Sequence, residues 1–241
     1  MKTVVIIPSR YGSTRFEGKP LALISGKPMI QWVYERAAGA ENVDTVVVAT
    51  DDARIVSAVN RFGGNTILTD AENRSGTDRA AEAADKLNLA ADDIVVNIQG
   101  DQPCIHPACI QEVTAPLRAN PENQMSTLAF KIVRAEEITN PKDVKVTFDT
   151  LGNALYFSRA AIPFARDADT VFDTYKHLGV YAYTRRFLDI FRNLPDGRLE
   201  NIEKLEQLRA MEYGYRIQVV ITEHDSAEVD IPEDIPRIEA Q

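Results

Sequence analysis

The chain has 241 residues, of which 44% are hydrophobic and 26% charged, fractions typical of a soluble globular protein with one α/β domain over residues 1–241. Its net charge of −9 argues against a nucleic-acid partner. No apolar run approaches the roughly 18 residues that cross a bilayer, and the short run ended by Pro8 is unlike a signal peptide. Cys104 and Cys109 lack further metal ligands or disulfide partners, so we expect free thiols and a cytoplasmic location.

Apolar strands alternate with helical patterns in the first hundred residues. The periodicity predicts strands at 4–7, 45–49, 65–68 and 94–98, and helices at 28–38, 53–62 and 78–89. Strands that are apolar throughout are typical of a parallel sheet with helices on both faces. Ligands of such sheets bind beyond the carboxyl ends of the strands. We therefore expect a functional edge built from the segments that follow these strands, at 8–20, 50–52 and 99–101.

The second half of the chain is less regular. Its pattern predicts strands at 126–132, 144–149, 179–183 and 216–221. A helix is predicted over 199–213, with an inner stripe of Ile202, Leu205, Leu208 and Met211. The last strand leads into an acidic loop that holds Glu228, Asp230 and Asp234.

The loop at 8–20 is the strongest functional signal. It combines cations, glycines and hydroxyl groups, namely Arg10, Arg15, Lys19, Gly12, Gly18, Ser13 and Thr14. A triphosphate requires backbone N–H groups and cations close to its oxygens, and the guanidinium fork matches phosphate. The loop is neither a Walker A sequence nor a Gly-x-Gly-x-x-Gly motif. The alternative is a surface loop with scattered charge, but three cations after a buried strand favour phosphate binding.

The segment Ser75-Gly76-Thr77 precedes a predicted helix. Ser75 or Thr77 could simply cap that helix. A helix N-terminus also attracts anions and base carbonyls. The segment alone favours capping, whereas its combination with the cationic loop favours a contact with a nucleotide.

Two carboxylates are candidates for a Mg²⁺ site. Asp101 follows a predicted buried strand, and Asp230 lies near the other end of the chain. Mg²⁺ prefers oxygen ligands and bridges phosphates. Each aspartate could instead be a turn residue, and sequence spacing alone does not bring the two together.

Four residues of the second half are candidates for substrate binding. Arg159 could bind a substrate carboxylate with two hydrogen bonds or form a surface ion pair. A lone histidine such as His177 is more often structural than catalytic. Glu206 and Gln207 would normally lie on the solvated face of the late helix.

Taken together, the motifs resemble those of the 3-deoxy-manno-octulosonate cytidylyltransferase family, also called CMP-KDO synthetases. The resemblance covers nearly the whole chain in order, through segments 7–15, 18–20, 75–79, 97–101, 154–159, 177–181, 205–209 and 229–234. It implies a mostly parallel central sheet with helices on both faces, of the Rossmann-related nucleotide-diphospho-sugar transferase type, with a small dimerisation sub-lobe. It also implies a homodimer.

The resemblance further implies a reaction and a set of site residues. CMP is transferred from CTP to the anomeric hydroxyl of 3-deoxy-manno-octulosonate (KDO) with Mg²⁺, releasing pyrophosphate and providing CMP-KDO for lipopolysaccharide synthesis. The residues implied to bind CTP are Arg10, Ser13, Arg15, Lys19, Ser75, Gly76 and Thr77. Those implied to line the sugar-acid pocket are Gln99, Arg159, His177, Tyr181, Glu206 and Gln207. The implied catalytic residues are Lys19, Asp101 and Asp230, of which the two aspartates hold the metal.

Four positions depart from the family pattern. Phe16-Glu17 stands in place of the usual Leu-Pro, Gln102 in place of a common Glu, and Ile231 in place of Thr. Glu17 brings a negative charge to the phosphate loop. Gln102 and the segment 175–186 resemble relatives that use 8-amino-3,8-dideoxy-manno-octulosonate, so the substrate stays open between the two sugar acids.

Rival interpretations are a CMP-sialate synthetase, an enzyme of a sugar 1-phosphate, and a non-catalytic CTP-binding protein. A sugar 1-phosphate would require a second cationic patch, whereas a free sugar acid requires only a carboxylate binder. A non-catalytic protein would have no reason to keep both Asp101 and Asp230. The mechanism expected is in-line attack of the sugar hydroxyl on the α-phosphorus, and the sequence identifies no general base.

Overall fold

The structure is a computed structural model that describes residues 1–12 and 15–240. Ser13 and Thr14, the predicted hydroxyl donors of the phosphate loop, lie outside the described residues. The strands are β1 (Thr3–Pro8), β2 (Leu23–Ile24), β3 (Lys27–Pro28), β4 (Thr45–Thr50), β5 (Thr66–Leu68), β6 (Ile94–Ile98), β7 (Met125–Lys131), β8 (Lys145–Phe148), β9 (Ala154–Ser158), β10 (Tyr175–Thr184) and β11 (Gln218–Thr222). The helices are α1 (Met29–Ala38), α2 (Ala53–Arg61), α3 (Gly76–Lys86), α4 (Pro107–Ala119), α5 (Ala135–Thr139), α6 (Arg185–Asn193), α7 (Arg198–Glu203), α8 (Gln207–Glu212) and α9 (Ile235–Glu239), with 3₁₀ turns at Lys19–Leu21 and Pro232–Asp234.

The main sheet is mixed but mostly parallel. Its strand order is β11-β7-β10-β6-β1-β4-β5, and β8 and β9 extend it from β10. The pairs β6-β1, β1-β4, β4-β5 and β7-β11 are parallel. Strand β10 is antiparallel to both of its neighbours, β6 and β7. The mostly parallel sheet predicted from the sequence is therefore confirmed, with β10 as the reversed strand.

Helices cover both faces of the sheet because the side chains of each strand alternate between them. On one face Val5 and Ile7 pack into a core with residues of α1 and α4. On the other face Val4 and Ile6 join residues of α3 and α6. Within residues 1–12 and 15–240, no helix is long and apolar enough to cross a membrane.

The predicted helix over 199–213 is wrong as a single element. Lys204 adopts a left-handed backbone conformation, with φ of 54°, which ends α7 and separates it from α8. The turn changes the direction of the inner stripe, so Ile202 is 66% exposed while Leu205 and Leu208 are buried. Local periodicity did not reveal the break, since no glycine marks it.

The sequence pattern missed the short elements β2, β3, α5 and α9 and also three longer ones. Strand β9 and helices α4 and α6 were not predicted, although α6 buries Phe187 and Phe191 in the core. Strand β10 is also longer than the predicted 179–183, and its register with β7 shifts between Leu178 and Tyr181. This irregularity interrupts the regular pairing of the two strands, which the sequence does not reveal.

Candidate active site

A backbone hydrogen bond closes the cationic loop after β1. Gly18 N donates to Tyr11 O at 2.9 Å. Gly18 has a φ of +69°, and a Cβ there would lie 3.0 Å from the Tyr11 ring, so both conformation and space favour glycine. Lys19 follows directly and begins a 3₁₀ turn. This hydrogen bond fixes the backbone position from which the Lys19 side chain extends.

Two ion pairs connect this loop to the two predicted metal carboxylates. Lys19 Nζ lies 2.5 Å from Asp101 Oδ2 and 3.1 Å from Val229 O. Arg15 lies 3.2 Å from Asp230. Val229 N donates to Asp101 O at 3.0 Å, which joins the segment after β6 to the loop near the C-terminus. The structure thus brings together the predicted catalytic residues from three distant parts of the sequence.

Glu228 is a third carboxylate at this place, which the sequence analysis did not select. Burial among protein atoms on one side, together with the negative charges of Asp101 and Asp230, raises the pKa of Glu228 to about 7, although the residue keeps an exposed face. Gln102 Nε2 donates to Glu228 Oε1 at 3.1 Å. The signal available in the sequence was the position of Glu228, two residues before the predicted metal ligand Asp230.

The residues at this edge suit Mg²⁺. Over residues 1–12 and 15–240, no group of three or more His, Cys, Asp or Glu side chains is arranged to hold a metal by itself. Mg²⁺ commonly uses only one or two protein carboxylates and takes its other ligands from water and substrate phosphates. Asp101 and Asp230 provide that number of oxygen donors beside a loop that carries cations.

A small cavity lies between the start of the cationic loop and the N-terminus of α3. Its volume is ≈ 80 Å³, and it is lined by Pro8, Ser9, Arg10, Asn73, Ser75, Gly76, Arg79 and Gln99. Four of the predicted site residues, Arg10, Ser75, Gly76 and Gln99, therefore share one cavity. Arg10 is exposed there, and within the described part of the chain it has no carboxylate at ion-pairing distance.

Ser75 caps α3 and also contacts Glu206, whereas its contact with a nucleotide stays a prediction. Its Oγ accepts a hydrogen bond from Asp78 N and caps α3, as the alternative interpretation expected. The same hydroxyl donates to Glu206 at 2.8 Å, and Thr77 donates to Glu206 at 2.7 Å. Burial raises the pKa of Glu206, and these two hydrogen bonds oppose the shift. Glu206, predicted in the sugar pocket, thus lies beside two residues predicted to contact CTP.

A larger cavity of ≈ 310 Å³ borders the carboxylate cluster on the other side. Its lining includes His177, Leu178, Glu228 and Asp230. Burial lowers the pKa of His177 to about 3, so the ring is neutral near pH 7. His177 Nε2 lies 2.8 Å from Thr127 Oγ1, and its ring centroid lies 5.3 Å from that of Tyr181. A neutral His177 can take part in hydrogen bonds but contributes no charge to this cavity.

Two other residues predicted for the sugar pocket have mainly internal contacts. The Arg159 guanidinium donates to the carbonyls of Glu203, Pro141 and Lys204. Gln207 is buried, and its Nε2 has no hydrogen-bond partner among the described residues. The assignment of both residues to substrate binding stays a prediction, and for Arg159 the contacts also fit a purely structural role.

Glu17 lies on the outer side of the cationic loop. It is exposed, and its charge contributes to the raised pKa of Arg54, after the larger effect of Asp52. Arg54 in turn stacks on the Tyr11 ring, 3.2 Å from its centroid. Part of the electrostatic effect of Glu17 therefore falls on Arg54, which is not one of the predicted triphosphate contacts.

A sheet with a cationic, glycine-containing loop at its carboxyl edge, facing two carboxylates, defines an α/β nucleotidyltransferase. Comparison with known proteins agrees with this class. A family model described as cytidylyltransferase matches residues 4–218. The chain belongs to the cytidylyltransferase family, and within it to the 3-deoxy-manno-octulosonate cytidylyltransferases, as the sequence motifs predicted.

The relatives carry two different substrate names. A 3-deoxy-manno-octulosonate cytidylyltransferase of Desulfosudis oleivorans is 67% identical, over 100% of this chain and 97% of the relative. An 8-amino-3,8-dideoxy-manno-octulosonate cytidylyltransferase of Shewanella piezotolerans is 56% identical, over 100% and 98%. A solved CMP:2-keto-3-deoxy-manno-octonic acid synthetase, complexed with CTP, superposes with a TM-score of 0.93 at 43% identity, covering 100% of this chain and 98% of the solved one.

Proposed function

We propose that this cytidylyltransferase transfers CMP from CTP to the anomeric hydroxyl of KDO and releases pyrophosphate, as a step of lipopolysaccharide synthesis. The observation that carries the proposal is the convergence of Lys19, Asp101 and Asp230 at one edge of the sheet. A relative named for KDO at 67% identity, and a solved relative with CTP, support the choice of substrates.

In this proposal CTP occupies the edge between the cationic loop and α3. Arg10, Arg15 and Lys19 neutralise the triphosphate and stabilise the charge that develops on the leaving pyrophosphate. Lys19 and Arg15 release their carboxylate partners, at least in part, when phosphate oxygens arrive. Ser75, Gly76 and Thr77 at the start of α3 face the nucleoside.

Asp101 and Asp230 would hold Mg²⁺, which when bound would offset charge on the α-phosphate and lower the pKa of the attacking hydroxyl. The sugar acid would contact Gln99, His177 and Tyr181. Little covalent chemistry is required of the protein, so most of the rate enhancement would come from positioning and from charge stabilisation.

The activity is tested by pyrophosphate release from CTP with KDO, 8-amino-KDO and sialic acid offered in parallel. We expect release with an octulosonate, none above background with sialic acid, and none when EDTA removes divalent cations. Release with sialic acid alone would identify a CMP-sialate synthetase. CTP binding without release in any mixture would identify the non-catalytic rival.

We also propose that the enzyme is a cytoplasmic, single-domain homodimer. Residues 159–174 form no helix or strand and expose Phe164 (90%), Val171 (97%) and Phe172 (42%). Large exposed apolar groups close together favour contact with another protein surface. The use of CTP and the free thiols of both cysteines support a cytoplasmic location. Fractionation of cells that make the protein would test this location.

We expect light scattering to give the mass of a dimer. The double substitution Phe164→Asp with Val171→Asp should shift the protein towards the monomer, because it places charges in an apolar contact. Val133→Asp is the control, since Val133 is also exposed (73%) but lies outside this segment. A dimer that withstands the double substitution as well as the control would place the contact elsewhere.

A further inference from the structure

The Glu206 carboxylate has no role in the mechanism above, although it connects two distant parts of the chain. One of its oxygens accepts a hydrogen bond from Ser75 Oγ at 2.8 Å, and the other accepts one from Thr77 Oγ1 at 2.7 Å. Ser75 caps α3, and Glu206 directly precedes α8. The carboxylate therefore ties the start of α8 to the start of α3.

The two hydroxyl groups have further partners within the protein. Ser75 Oγ accepts a hydrogen bond from Asp78 N at 3.1 Å. Thr77 Oγ1 accepts one from Asn97 Nδ2 at 3.4 Å. Each hydroxyl has a single proton, and since that proton is directed to Glu206, neither hydroxyl keeps a donor for a ligand. A nucleotide at this place would instead meet backbone N–H groups of the first turn of α3, which have no acceptor within their own helix.

The start of α3 lies close to the cationic loop, so its position decides the shape of the cavity between them. A Cβ added at Gly76 would lie 3.3 Å from Pro8 Cγ and 3.4 Å from Gln99 Oε1. Both neighbours line the same cavity of ≈ 80 Å³ as Gly76 and Arg10. Because the space is narrow, even a small shift of α3 would change the distance between its first N–H groups and the loop that carries Arg10.

Glu206 belongs to a packed segment, which suits an anchor. Its neighbours Leu205 and Gln207 are only 7% and 3% exposed. Leu205 N donates to Glu200 O at 3.3 Å across the turn between α7 and α8. Arg209 of α8 forms an ion pair with the Glu200 carboxylate. These contacts fix the backbone from which the Glu206 side chain extends towards α3.

Both oxygens of Glu206 already accept hydrogen bonds from α3, so a substrate hydroxyl would have to compete with Ser75 or Thr77 for them. Resting on the proposed function, we propose that Glu206 is a positioning residue for CTP and not a ligand of the sugar acid. It holds Ser75 and Thr77, and through them it fixes the N-terminus of α3 relative to the cationic loop. Loss of this connection weakens CTP binding and leaves the affinity for the sugar acid nearly unchanged.

The test measures the Kd for CTP by calorimetry without sugar acid, and the KM for KDO at saturating CTP. Glu206→Gln keeps one acceptor oxygen but turns an NH₂ group towards the second hydroxyl. We expect its Kd for CTP to rise roughly tenfold and its KM for KDO to change by less than about twofold. Glu206→Asp keeps the charge but withdraws the carboxylate by one methylene group, and should raise the Kd similarly. Glu212→Gln is the matched control, since Glu212 of the same helix is exposed and accepts from Leu199 N.

A second set of variants tests whether Glu206 acts through the two hydroxyls. Ser75→Ala with Thr77→Val removes both of them and should itself raise the Kd for CTP. Adding Glu206→Gln to this double variant should cause no further rise, because the groups that Glu206 holds are gone. A further rise equal to that of Glu206→Gln alone would mean independent roles and would overturn the inference. Circular dichroism checks the fold of every variant.

The outcomes separate this inference from the proposed function. A KM for KDO that rises as much as the Kd for CTP, or more, in Glu206→Gln would place Glu206 in the sugar-acid pocket and overturn the inference. A wild-type Kd for CTP in both Glu206 variants would also overturn it. If the wild-type enzyme binds CTP but turns over neither octulosonate, the proposed function fails, while the Kd values still decide the role of Glu206. Should Glu206→Gln not fold, Glu206→Asp provides the same comparison.

Discussion

Asp101→Asn and Asp230→Asn are each expected to lower kcat by roughly 10²-fold or more, because a metal site at a phosphoryl group is worth several kcal/mol. Asparagine keeps the size of aspartate but removes the negative charge and one anionic oxygen. In Asp101→Asn, Lys19 loses its ion pair but keeps its hydrogen bond to Val229 O, so the cationic loop should stay near its position. The fold should therefore survive while turnover fails.

The measurement is pyrophosphate release over a range of Mg²⁺ concentrations. The variants should require more Mg²⁺ than the wild type, which a merely structural role of the aspartates does not predict. Asp92→Asn is the control, since Asp92 is 81% exposed and pairs only with the surface residue Arg186. Circular dichroism checks the fold. Near-normal kcat in both variants would remove the metal assignment.

The place of the active site was predictable from the sequence because strand direction determines it. Parallel strands end at one edge, so segments that follow β1 and β6 had to meet there. The apolar runs of these strands are clear, and β1 and β6 pair in parallel, with Val4 opposite Val95 and Ile6 opposite Asn97. This pairing brings the segments that carry Lys19 and Asp101 to the same edge of the sheet, where the two side chains form an ion pair.

Strand direction does not predict that Asp101 and Asp230 lie close together. The segment around Asp230 is not part of a strand, and no periodicity places it. Only the family resemblance joined the two aspartates, and the hydrogen bond from Val229 N to Asp101 O now gives the physical connection. Long-range contacts of loops depend on tertiary packing, which local patterns do not encode.

The features missed from the sequence have related causes. The reversed direction of β10 leaves no mark on composition, since a buried antiparallel strand is as apolar as a parallel one. The break at Lys204 depends on a left-handed conformation that lysine rarely adopts. Glu228 belongs to no motif, and Gln102 appeared only as a departure from a family pattern. Their hydrogen bond gives both residues a common context.

Lys19→Met is expected to lower kcat/KM for CTP by roughly 10²- to 10³-fold, the usual cost of removing one donor that stabilises developing charge. Lys19 is mostly enclosed, with 16% of its side chain exposed, and its ammonium group lies on Asp101. Methionine keeps much of the length but not the charge. The variant therefore loses one phosphate cation and also leaves Asp101 without its counter-charge.

These two losses can be separated by adding a second substitution. If Lys19 acts mainly on the triphosphate, Lys19→Met with Asp101→Asn should be no better than either single variant. If Lys19 mainly neutralises the charge of Asp101, the double variant should bind CTP better than Lys19→Met alone, because it no longer has an unpaired carboxylate at position 101. Lys27→Met is the control, since Lys27 pairs with Glu35 and is 43% exposed. Wild-type kcat/KM in Lys19→Met would show that Arg10 and Arg15 suffice for the phosphates, and the loop closed by Gly18 would then be a scaffold for those arginines.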